Sequence, residues 1–314
     1  MQTPITTSVQ SYIKSGSAYK AYRGAETRLH VEGLEGYPLA IFLKQITKIG
    51  NQRLWVVVPT EEVARTLLLD LGLALDPKSG DLIKRTAQDM KIHYLPSTGR
   101  TLYAEKEIDN VEYEQANRLS EILSLKHGMI ITTLRTFVSP LITPASLKRS
   151  ELELKRGGVF DPVLIARQLA EGSYLQVPFT SAMGQFSVRG EVLDIFPFEG
   201  TRPYRIYADW DKIGRISAFD PITQETIETV GSVSINILHE GGTIEYASIK
   251  EYLQKRDALA FIGDERLLTS YKSLQSEAKS LYRTAFQIDR NVPKPNDLLL
   301  DYPLFVEENP AVII

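Results

Sequence analysis

Two segments contain the residue types of a nucleotide-binding site. The stretch HVEGLEGYPL, residues 30–39, has glycines at Gly33 and Gly36 before a predicted helix, where backbone N–H groups can bind a phosphate. Further along, the apolar run ALAFIG leads into Asp264 and Glu265. In ATPases such a pair holds the magnesium ion and orients the attacking water. This chemistry also needs a lysine followed by serine or threonine in the glycine loop, because these residues bind the phosphates and the metal.

The glycine segment lacks that lysine. It contains no Gly-Lys-Thr or Gly-Lys-Ser, and the carboxylates of Glu32 and Glu35 would repel a triphosphate. We therefore interpret Gly33 and Gly36 as a degenerate phosphate loop, with a strand-to-helix turn that binds nothing as the alternative. The acidic pair after ALAFIG is interpreted as the remnant of an ATPase motif, or as two favourable charges at the start of a helix.

No other pattern predicts catalysis. The four histidines form neither HExxH nor His-x-His, so metal catalysis is not predicted. There is no Gly-x-Ser-x-Gly nucleophile elbow and no recognisable pair of acid–base carboxylates. The chain has no cysteine, which excludes disulfides, thiolate nucleophiles and the usual iron–sulfur and zinc sites. We expect no catalytic residue, no metal and no cofactor in this chain.

A third segment, GQFSVRGEVLDIFPFEGTRPYRIYADWDKIGRISAFD, alternates apolar and charged residues. Its four arginines are Arg189, Arg202, Arg205 and Arg215, and they are balanced by Glu191, Asp194, Glu199, Asp209 and Asp211. A half-exposed sheet with arginines among aromatic residues suits a protein-binding surface, because both residue types are enriched at interface hot spots. Cross-strand ion pairing within the sheet is the alternative.

The elements that must position these residues follow two patterns. Between residues 37 and 139, apolar strand-like runs alternate with amphipathic blocks, which predicts a parallel sheet covered by helices. The predicted strands are Leu54–Pro59, Ile92–Pro96 and Met129–Thr133. The predicted helices run from Pro38 to Gly50, from the N-capping Thr60 onwards, and from Val111 to Lys126.

From Pro144 onwards the pattern changes. A helix is predicted after Asp161-Pro162, ending at Gly172, and short strands separated by turn residues follow it, as in an antiparallel meander. Helical and apolar blocks then return, with a long helix over residues 265–288 and a last strand, AVII, assigned to the first sheet. The sequence therefore predicts one α/β domain, split in the sequence by an inserted small α+β domain.

Composition bounds the remaining possibilities. The chain has 314 residues, 36 basic against 39 acidic, and 43% hydrophobic residues, which predicts two or three folded domains. No apolar run is long enough to cross a bilayer and no signal peptide is recognisable, so we expect a soluble, cytoplasmic protein without membrane partners. The mixed-sign stretch from Lys148 to Arg156 is predicted to be a solvated face or linker rather than a nucleic-acid patch.

The third segment resembles a known family. The motifs that carry the resemblance are Gly184–Gly190, Val192–Pro197, Pro203–Ile206 and Phe219–Pro221, with Leu95-Pro96, Ile130–Thr133 and Asp264-Glu265 in the rest of the chain. They are similar to the UvrB-homology module of bacterial nucleotide excision repair. The resemblance implies a degenerate RecA/helicase-like domain, residues 1–145 and 237–314, and an inserted UvrA-binding domain, residues 146–236, as in UvrB.

Two branches of that family fit. One is the damage-loading helicase UvrB, and the other is the N-terminal region of the transcription-repair coupling factors (Mfd). UvrB has an intact phosphate loop and a tyrosine-rich hairpin, whereas the stretch after Leu95-Pro96 is too short and too poor in aromatic residues for that hairpin. The resemblance therefore favours the coupling factors, with a UvrB-like helicase or ATPase fragment as the alternative.

The coupling-factor resemblance implies a recruiting role rather than an enzyme. It implies that the inserted domain binds UvrA and brings excision repair to a stalled RNA polymerase. Arg189 is the first candidate for contact with UvrA, followed by Phe186, Gln176 and Arg205, while Gln176 and Ser187 stand where relatives have arginines. Contacts with RNA polymerase and DNA, and the ATP and magnesium of a DNA translocase, would belong to domains C-terminal to this chain.

Overall fold

The computed structural model describes residues 29–75, 82–84, 91–100, 102–103, 110–198, 202–238, 244–309 and 311–314. The chain divides into two compact units. The first, which we call the α/β unit, comprises Met1–Glu105, Glu121–Leu141 and Ala247–Ile314. The second, which we call the inserted unit, comprises Lys106–Ser120 and Ile142–Tyr246.

Six parallel strands form the sheet of the α/β unit. In spatial order they are β5 (Ile92–Leu95), β6 (Gly128–Thr133), β2 (Arg53–Val58), β17 (Ala258–Phe261), β18 (Val312–Ile313) and β1 (Leu29–His30). Every residue of β2 and β6 is buried, which explains their continuous apolar runs, since helices cover both faces of a parallel sheet. The predicted parallel sheet is confirmed, including AVII as one of its strands.

Helices and a short hairpin complete the α/β unit. They are α1 (Gly36–Gly50), α2 (Glu61–Asp70), α4 (Leu134–Val138), a 3-10 turn (Ile249–Glu251), α7 (Asp264–Ile288), α8 (Pro295–Leu298), α9 (Tyr302–Glu308), and the antiparallel strands β3 (Leu73–Leu75) and β4 (Leu82–Lys84). The predicted cap of α2 is confirmed, because Thr60 Oγ1 accepts a hydrogen bond from the Val63 N–H at 3.4 Å. Phe42, Leu43 and Ile46 of α1 are fully buried in the core of this unit.

One charged pair lies inside the α/β core. Arg53, the first residue of β2, is 1% exposed and donates from Nε to Asp257 Oδ1 at 2.9 Å. The other two guanidinium nitrogens donate to the backbone carbonyls of Ile122 and Tyr252. Trp55 Nε1 also donates to Asp257, at 2.9 Å. The buried pair therefore has its hydrogen-bonding groups satisfied within the unit, as buried charges require.

The inserted unit is built on a second six-stranded sheet. Its order is β14 (Thr226–Val230), β13 (Lys212–Phe219), β12 (Tyr204–Asp209), β11 (Val192–Phe196), β10 (Gln185–Arg189) and β9 (Leu175–Gln176). All neighbours are antiparallel except β9 and β10. A separate antiparallel pair joins β8 (Glu151–Lys155) to β15 (Ser232–Asn236). The predicted meander is therefore confirmed for β10 to β13, and β14 extends it by a strand that was not predicted.

Two helices accompany this sheet, α5 (Pro144–Ser150) and α6 (Pro162–Glu171), and α6 packs against β9 and β10. The predicted cap of α6 is confirmed, because Asp161 Oδ1 accepts from the Val163 and Leu164 N–H groups at 3.1 and 2.9 Å. The stretch from Lys148 to Arg156 is a solvated face rather than a linker: it covers the end of α5 and all of β8, its charged side chains are exposed and Leu154 is buried.

The division into units differs from the predicted domain limits at residues 145/146 and 236/237. The chain passes between the units within two short strands, β7 (Leu141–Ile142) and β16 (Tyr246–Ala247). Most of α3 (Asn110–Ser124) also belongs to the inserted unit. Its Tyr113 hydroxyl donates to the Gly172 carbonyl at 2.5 Å and accepts from Leu238 N–H at 3.1 Å. These contacts join sequence-distant parts of the unit, so periodicity along α3 could not reveal them.

Among the described residues, no helix has both the length and the apolar character needed to cross a membrane.

Candidate functional site

The structure brings the degenerate phosphate loop and the acidic pair to one edge of the α/β sheet. The loop follows β1 and the pair follows β17, and both strands run parallel to β18, which lies between them. Gly33 and Gly36 have left-handed backbone, with φ of +76° and +58°. Asp264 and Glu265 form the first turn of α7. Parallel strands place their carboxyl ends at the same edge, which is why these sequence-distant residues meet.

A depression of about 390 Å3 lies at this edge. Its lining includes Glu32, Asp264 and Glu265, with His30 beside them and Arg266 as the one arginine or lysine. Gly33 and Gly36 are not among the lining residues. Three carboxylates and one cation form an unfavourable environment for a triphosphate, whose charge needs the lysine that the loop lacks. The edge therefore lacks the lysine with which a phosphate loop binds the triphosphate.

The arginines of the inserted sheet surround a buried carboxylate. Asp194 of β11 is fully buried, and its Oδ1 accepts from Arg205 Nε at 2.7 Å. Its Oδ2 accepts from Arg205 Nη2 at 2.9 Å and from Arg189 Nη2 at 2.6 Å. We call these three residues the Asp194 cluster. It holds two guanidinium groups and one carboxylate, so it carries an excess positive charge.

The two arginines of the cluster differ in what they can reach. The Arg205 side chain is 15% exposed and has further contacts with Gln224 Oε1 at 2.8 Å and with the ring of Phe219. Its hydrogen bonds to Asp194 raise the pKa of its guanidinium, although burial opposes this shift. The Arg189 side chain is 39% exposed, and its guanidinium lies 5.0 Å from the centre of the Phe179 ring. Arg189 is therefore the member of the cluster that a partner can contact.

A tight turn fixes the position of Arg189. Arg189 pairs directly with Val192, so Gly190 and Glu191 form a two-residue hairpin turn between β10 and β11. Gly190 has a φ of +58°, a conformation that such turns require and that other residues adopt at a cost. The Val-Arg-Gly motif is thus a strand end and the first residue of its turn, and it presents the arginine at the end of the sheet.

The structure separates the other predicted contact residues. Phe186 is fully buried, and on β10 it points to the face opposite Ser187 and Arg189. Its side chain packs inside the unit, and its contact with a partner stays a prediction. Gln176 is exposed on the edge strand β9, opposite Phe186 in the register. Its role stays a prediction.

Three exposed or half-exposed side chains near the cluster were not among the named UvrA-contact candidates, although Arg215 was one of the arginines of the predicted protein-binding surface. Phe179 is 64% exposed beside Arg189. Arg215 is exposed and its guanidinium lies 4.0 Å from the centre of the Tyr207 ring, one strand beyond Arg205. A sequence signal for the last pair existed, because each residue is adjacent in the sequence to a buried isoleucine, Ile206 or Ile216. Together with Arg189 these residues form what we call the Arg189 face.

The turn at Asp220 positions Gln224, which contacts Arg205 of the cluster. Asp220 Oδ1 accepts from the N–H groups of Ile222 and Thr223, both at 2.8 Å, and these hydrogen bonds lower the pKa of its carboxyl group. The turn brings Gln224 to Arg205, and Gln224 Nε2 donates to the carbonyl of Thr180 at 3.3 Å. The segment that carries Phe179 is thereby tied to the sheet.

Metal chemistry has no support in the described part of the chain, which contains no group of three or more histidine, aspartate or glutamate side chains arranged to bind an ion.

Comparison with known proteins finds a family model that resembles the inserted unit. Residues 152–237 match the family model of the UvrB interaction domain, a range that contains β8 except its first residue, β9 to β15 and the whole Asp194 cluster.

Longer matches extend into the α/β unit. The transcription-repair-coupling factor of Bacillus subtilis (strain 168) is 24% identical over 235 residues, which is 72% of this chain and 19% of that protein. That of Myxococcus xanthus is 26% identical over 215 residues, covering 67% and 17%. UvrABC system protein B of Pseudomonas syringae pv. tomato is 32% identical over 136 residues, covering 43% and 20%.

These matches confirm the resemblance that the sequence motifs predicted, to UvrB and to the transcription-repair coupling factors. The chain spans about a fifth of the length of these curated relatives.

Proposed function

We propose that this chain is the UvrB-like module of a transcription-repair coupling factor, and that it binds UvrA through the Arg189 face of the inserted unit. Binding would recruit nucleotide excision repair to a stalled RNA polymerase. The family match over residues 152–237 and the coupling-factor relatives support a role in nucleotide excision repair coupling. Contacts with RNA polymerase and DNA would be made by other parts of a longer protein.

The observation that carries this proposal is the excess positive charge at Arg189. A partly exposed guanidinium beside an exposed aromatic ring has the composition of an interface hot spot. It lies within the segment matched by the UvrB interaction domain. An acidic group on the partner would balance the charge that Asp194 leaves unbalanced.

We propose further that the α/β unit binds no ATP. The loop from Glu32 to Gly36 has no lysine, and Glu32 faces the same depression as Asp264 and Glu265. The α/β unit would then serve as a structural scaffold, which the inserted unit interrupts in the sequence.

A second candidate function is a UvrB-like, damage-loading helicase or ATPase. It is favoured by the identity to UvrABC system protein B, which at 32% exceeds that to the coupling factors. The match covers 43% of the chain, against 72% for the coupling factor of Bacillus subtilis. The greater coverage and the missing lysine favour the coupling factor.

A binding titration tests the recruiting function. We expect the wild-type chain to bind purified UvrA, and Arg189→Ala to weaken binding by about 2–5 kcal/mol, because one buried charge contact is lost. Stability should change little, since Arg205 still pairs with Asp194 through two hydrogen bonds. Arg202→Ala is the matched control: this arginine pairs with Glu228 on the surface of the same unit. Unaltered binding by Arg189→Ala would contradict the assignment of the face.

Calorimetry separates the two candidate functions. We expect no heat of binding when magnesium and ATP at millimolar concentration are titrated into the chain. Saturable binding that is lost in Asp264→Asn or Glu265→Gln would support the ATPase alternative instead.

A further inference from the structure

We infer that Asp194 and Arg205 are positioning residues for Arg189, and that the group which Arg189 recognises is a carboxylate of the partner protein. This inference rests on the proposed function, because it names the chemistry of the same face. It assigns roles to two residues of the inserted sheet that are too buried to be the main contacts themselves.

The two arginines share the hydrogen bonds of Asp194 unequally. Arg205 occupies both carboxylate oxygens in a bidentate arrangement, at 2.7 and 2.9 Å. Arg189 contacts Oδ2 alone, through one terminal nitrogen at 2.6 Å. The more buried arginine therefore fixes the carboxylate, and the carboxylate in turn fixes the more exposed arginine.

Arg189 keeps N–H donors that Asp194 does not use. A guanidinium has five N–H donors, and Asp194 takes a donor from one of its three nitrogens. Among the described residues, Asp194 is the only carboxylate with which Arg189 forms an ion pair. The ring of Phe179 lies beside the guanidinium plane. A planar carboxylate matches the remaining edge of an arginine held in this way, because two parallel N–H···O bonds can form.

Acidic side chains lie at the end of the sheet that carries Arg189. Glu191 follows Arg189 in its turn, and its carbonyl accepts from Ala208 N–H at 2.9 Å, which brings the turn close to Asp209 and Asp211. Acidic residues at the same end of the sheet as Arg189 would repel a polyanion such as a nucleic-acid backbone. A single carboxylate on a folded protein can reach the guanidinium with much less repulsion, because it brings one negative charge to this end of the sheet rather than many.

The environment of the cluster gives Asp194 a further constraint. Ser187 and Ser217 are paired in register with Asp194 and Arg205 on the neighbouring strands, and both are fully buried. Their hydroxyl groups have no hydrogen-bond partner among the described residues. The carboxylate is thus held by the two arginines and not by these hydroxyls, so replacing Asp194 should release Arg189.

A double-mutant cycle tests whether Asp194 acts through Arg189. Purified UvrA is titrated into the wild type, Asp194→Asn, Arg189→Ala and the double variant. We expect Asp194→Asn to weaken binding about tenfold when Arg189 is present, and less than about twofold in the Arg189→Ala background. A purely structural role would weaken binding equally in both backgrounds, and that result would overturn the inference.

A second variant covers the case in which Asp194→Asn fails to fold, as judged by its thermal melt. Arg205→Lys keeps the charge but loses the bidentate contact with Asp194, so it should also weaken binding only when Arg189 is present. Equal losses in the two backgrounds would again contradict the positioning role.

The nature of the recognised group is tested by Arg189→Lys. Lysine keeps the positive charge but cannot form two parallel hydrogen bonds to a carboxylate, so we expect about a tenfold weaker complex. Wild-type affinity in this variant would overturn the carboxylate assignment. If the wild-type chain does not bind UvrA at all, the proposed function fails; if it binds and the cycle is additive, only the positioning inference fails.

Discussion

Each unit of this protein buries an aspartate against arginine, but the two sites are completed differently. In the α/β unit, Arg53 is 1% exposed, and all three guanidinium nitrogens donate to Asp257 or to backbone carbonyls. In the inserted unit, Asp194 accepts from two arginines, of which Arg189 is 39% exposed. One charge is balanced inside its own unit, while the other site has a positive charge in excess.

This difference separates an arginine that stabilises a fold from one that can bind a partner. Both arginines have short hydrogen bonds to a buried carboxylate, so pairing alone does not distinguish them. The distinguishing quantities are the charge balance and the exposed fraction of the guanidinium. By these measures Arg53 is structural, and Arg189 is available for recognition.

The largest expected effect is on the stability of the fold, at the buried pair of Arg53 and Asp257. Arg53→Ala leaves the buried Asp257 carboxylate without its cation and the carbonyls of Ile122 and Tyr252 without this donor, so the free energy of unfolding should fall by about 3–5 kcal/mol. Urea denaturation of the purified variant measures this. Arg135→Ala is the control, because its pair with Glu277 is about 40% exposed and should contribute little. Equal losses of stability for the two variants would contradict the structural role assigned to the buried Arg53.

The next effect concerns the turn that presents Arg189. Gly190→Ala forces a left-handed backbone on a residue with a side chain, at a cost of about 1–2 kcal/mol, although no atom lies within 4 Å of the new methyl group. Gly231→Ala is a matched control, since that glycine has equal space and no positive φ. Urea denaturation compares the two variants, and similar stabilities would show that the turn does not constrain Arg189.

A smaller effect is expected for the aromatic neighbour of Arg189. Phe179→Leu keeps an apolar side chain but removes the ring face 5.0 Å from the guanidinium, and should weaken UvrA binding by about 0.5–1 kcal/mol. Phe179→Ala should cost more, because it also removes apolar contact area. Titration of both variants checks this order, and a leucine variant with full wild-type affinity would exclude a role for the ring.

The smallest effect depends on pH, in the turn that holds Gln224 near Arg205. Backbone hydrogen bonds lower the pKa of the Asp220 carboxyl group, so its stabilising contribution is present above its unfolded-state pKa and is lost as the pH falls through the lower folded-state value. The stability difference between wild type and Asp220→Ala should therefore close below about pH 4.

Denaturation curves between pH 7 and 3 measure that difference. Asp220→Asn is the control, because an amide oxygen still accepts both hydrogen bonds and does not titrate in this range. A gap between wild type and the alanine variant that stays constant with pH would contradict the assignment.

The fold could be predicted largely from patterns that reflect burial. The run from Leu54 to Pro59 predicted a strand covered on both faces, and β2 is buried throughout. The caps at Thr60 and Asp161 were predicted because local hydrogen bonding decides them. β1 was missed, since two residues cannot show a periodicity. These successes and failures depend on whether the deciding interaction is local.

The site was predicted only in part, for the same reason. The Val-Arg-Gly motif identified Arg189, but the exposure of a residue on a half-buried strand depends on register, which placed Phe186 on the buried face. The sharing of Asp194 by two arginines requires three strands in register, so no single segment could reveal it. The edge shared by Glu32 and Asp264 likewise depends on the strand order.

The most direct test of the account is hydrogen–deuterium exchange of the chain with and without UvrA. We expect UvrA to slow exchange in the segments of the Arg189 face that are outside the strand ladders, residues 177–181 and the turn at Gly190, while residues 31–36 and 263–266 of the α/β unit remain unchanged. Protection of the α/β edge without protection of the Arg189 face would contradict the central claim that the inserted unit is the binding region.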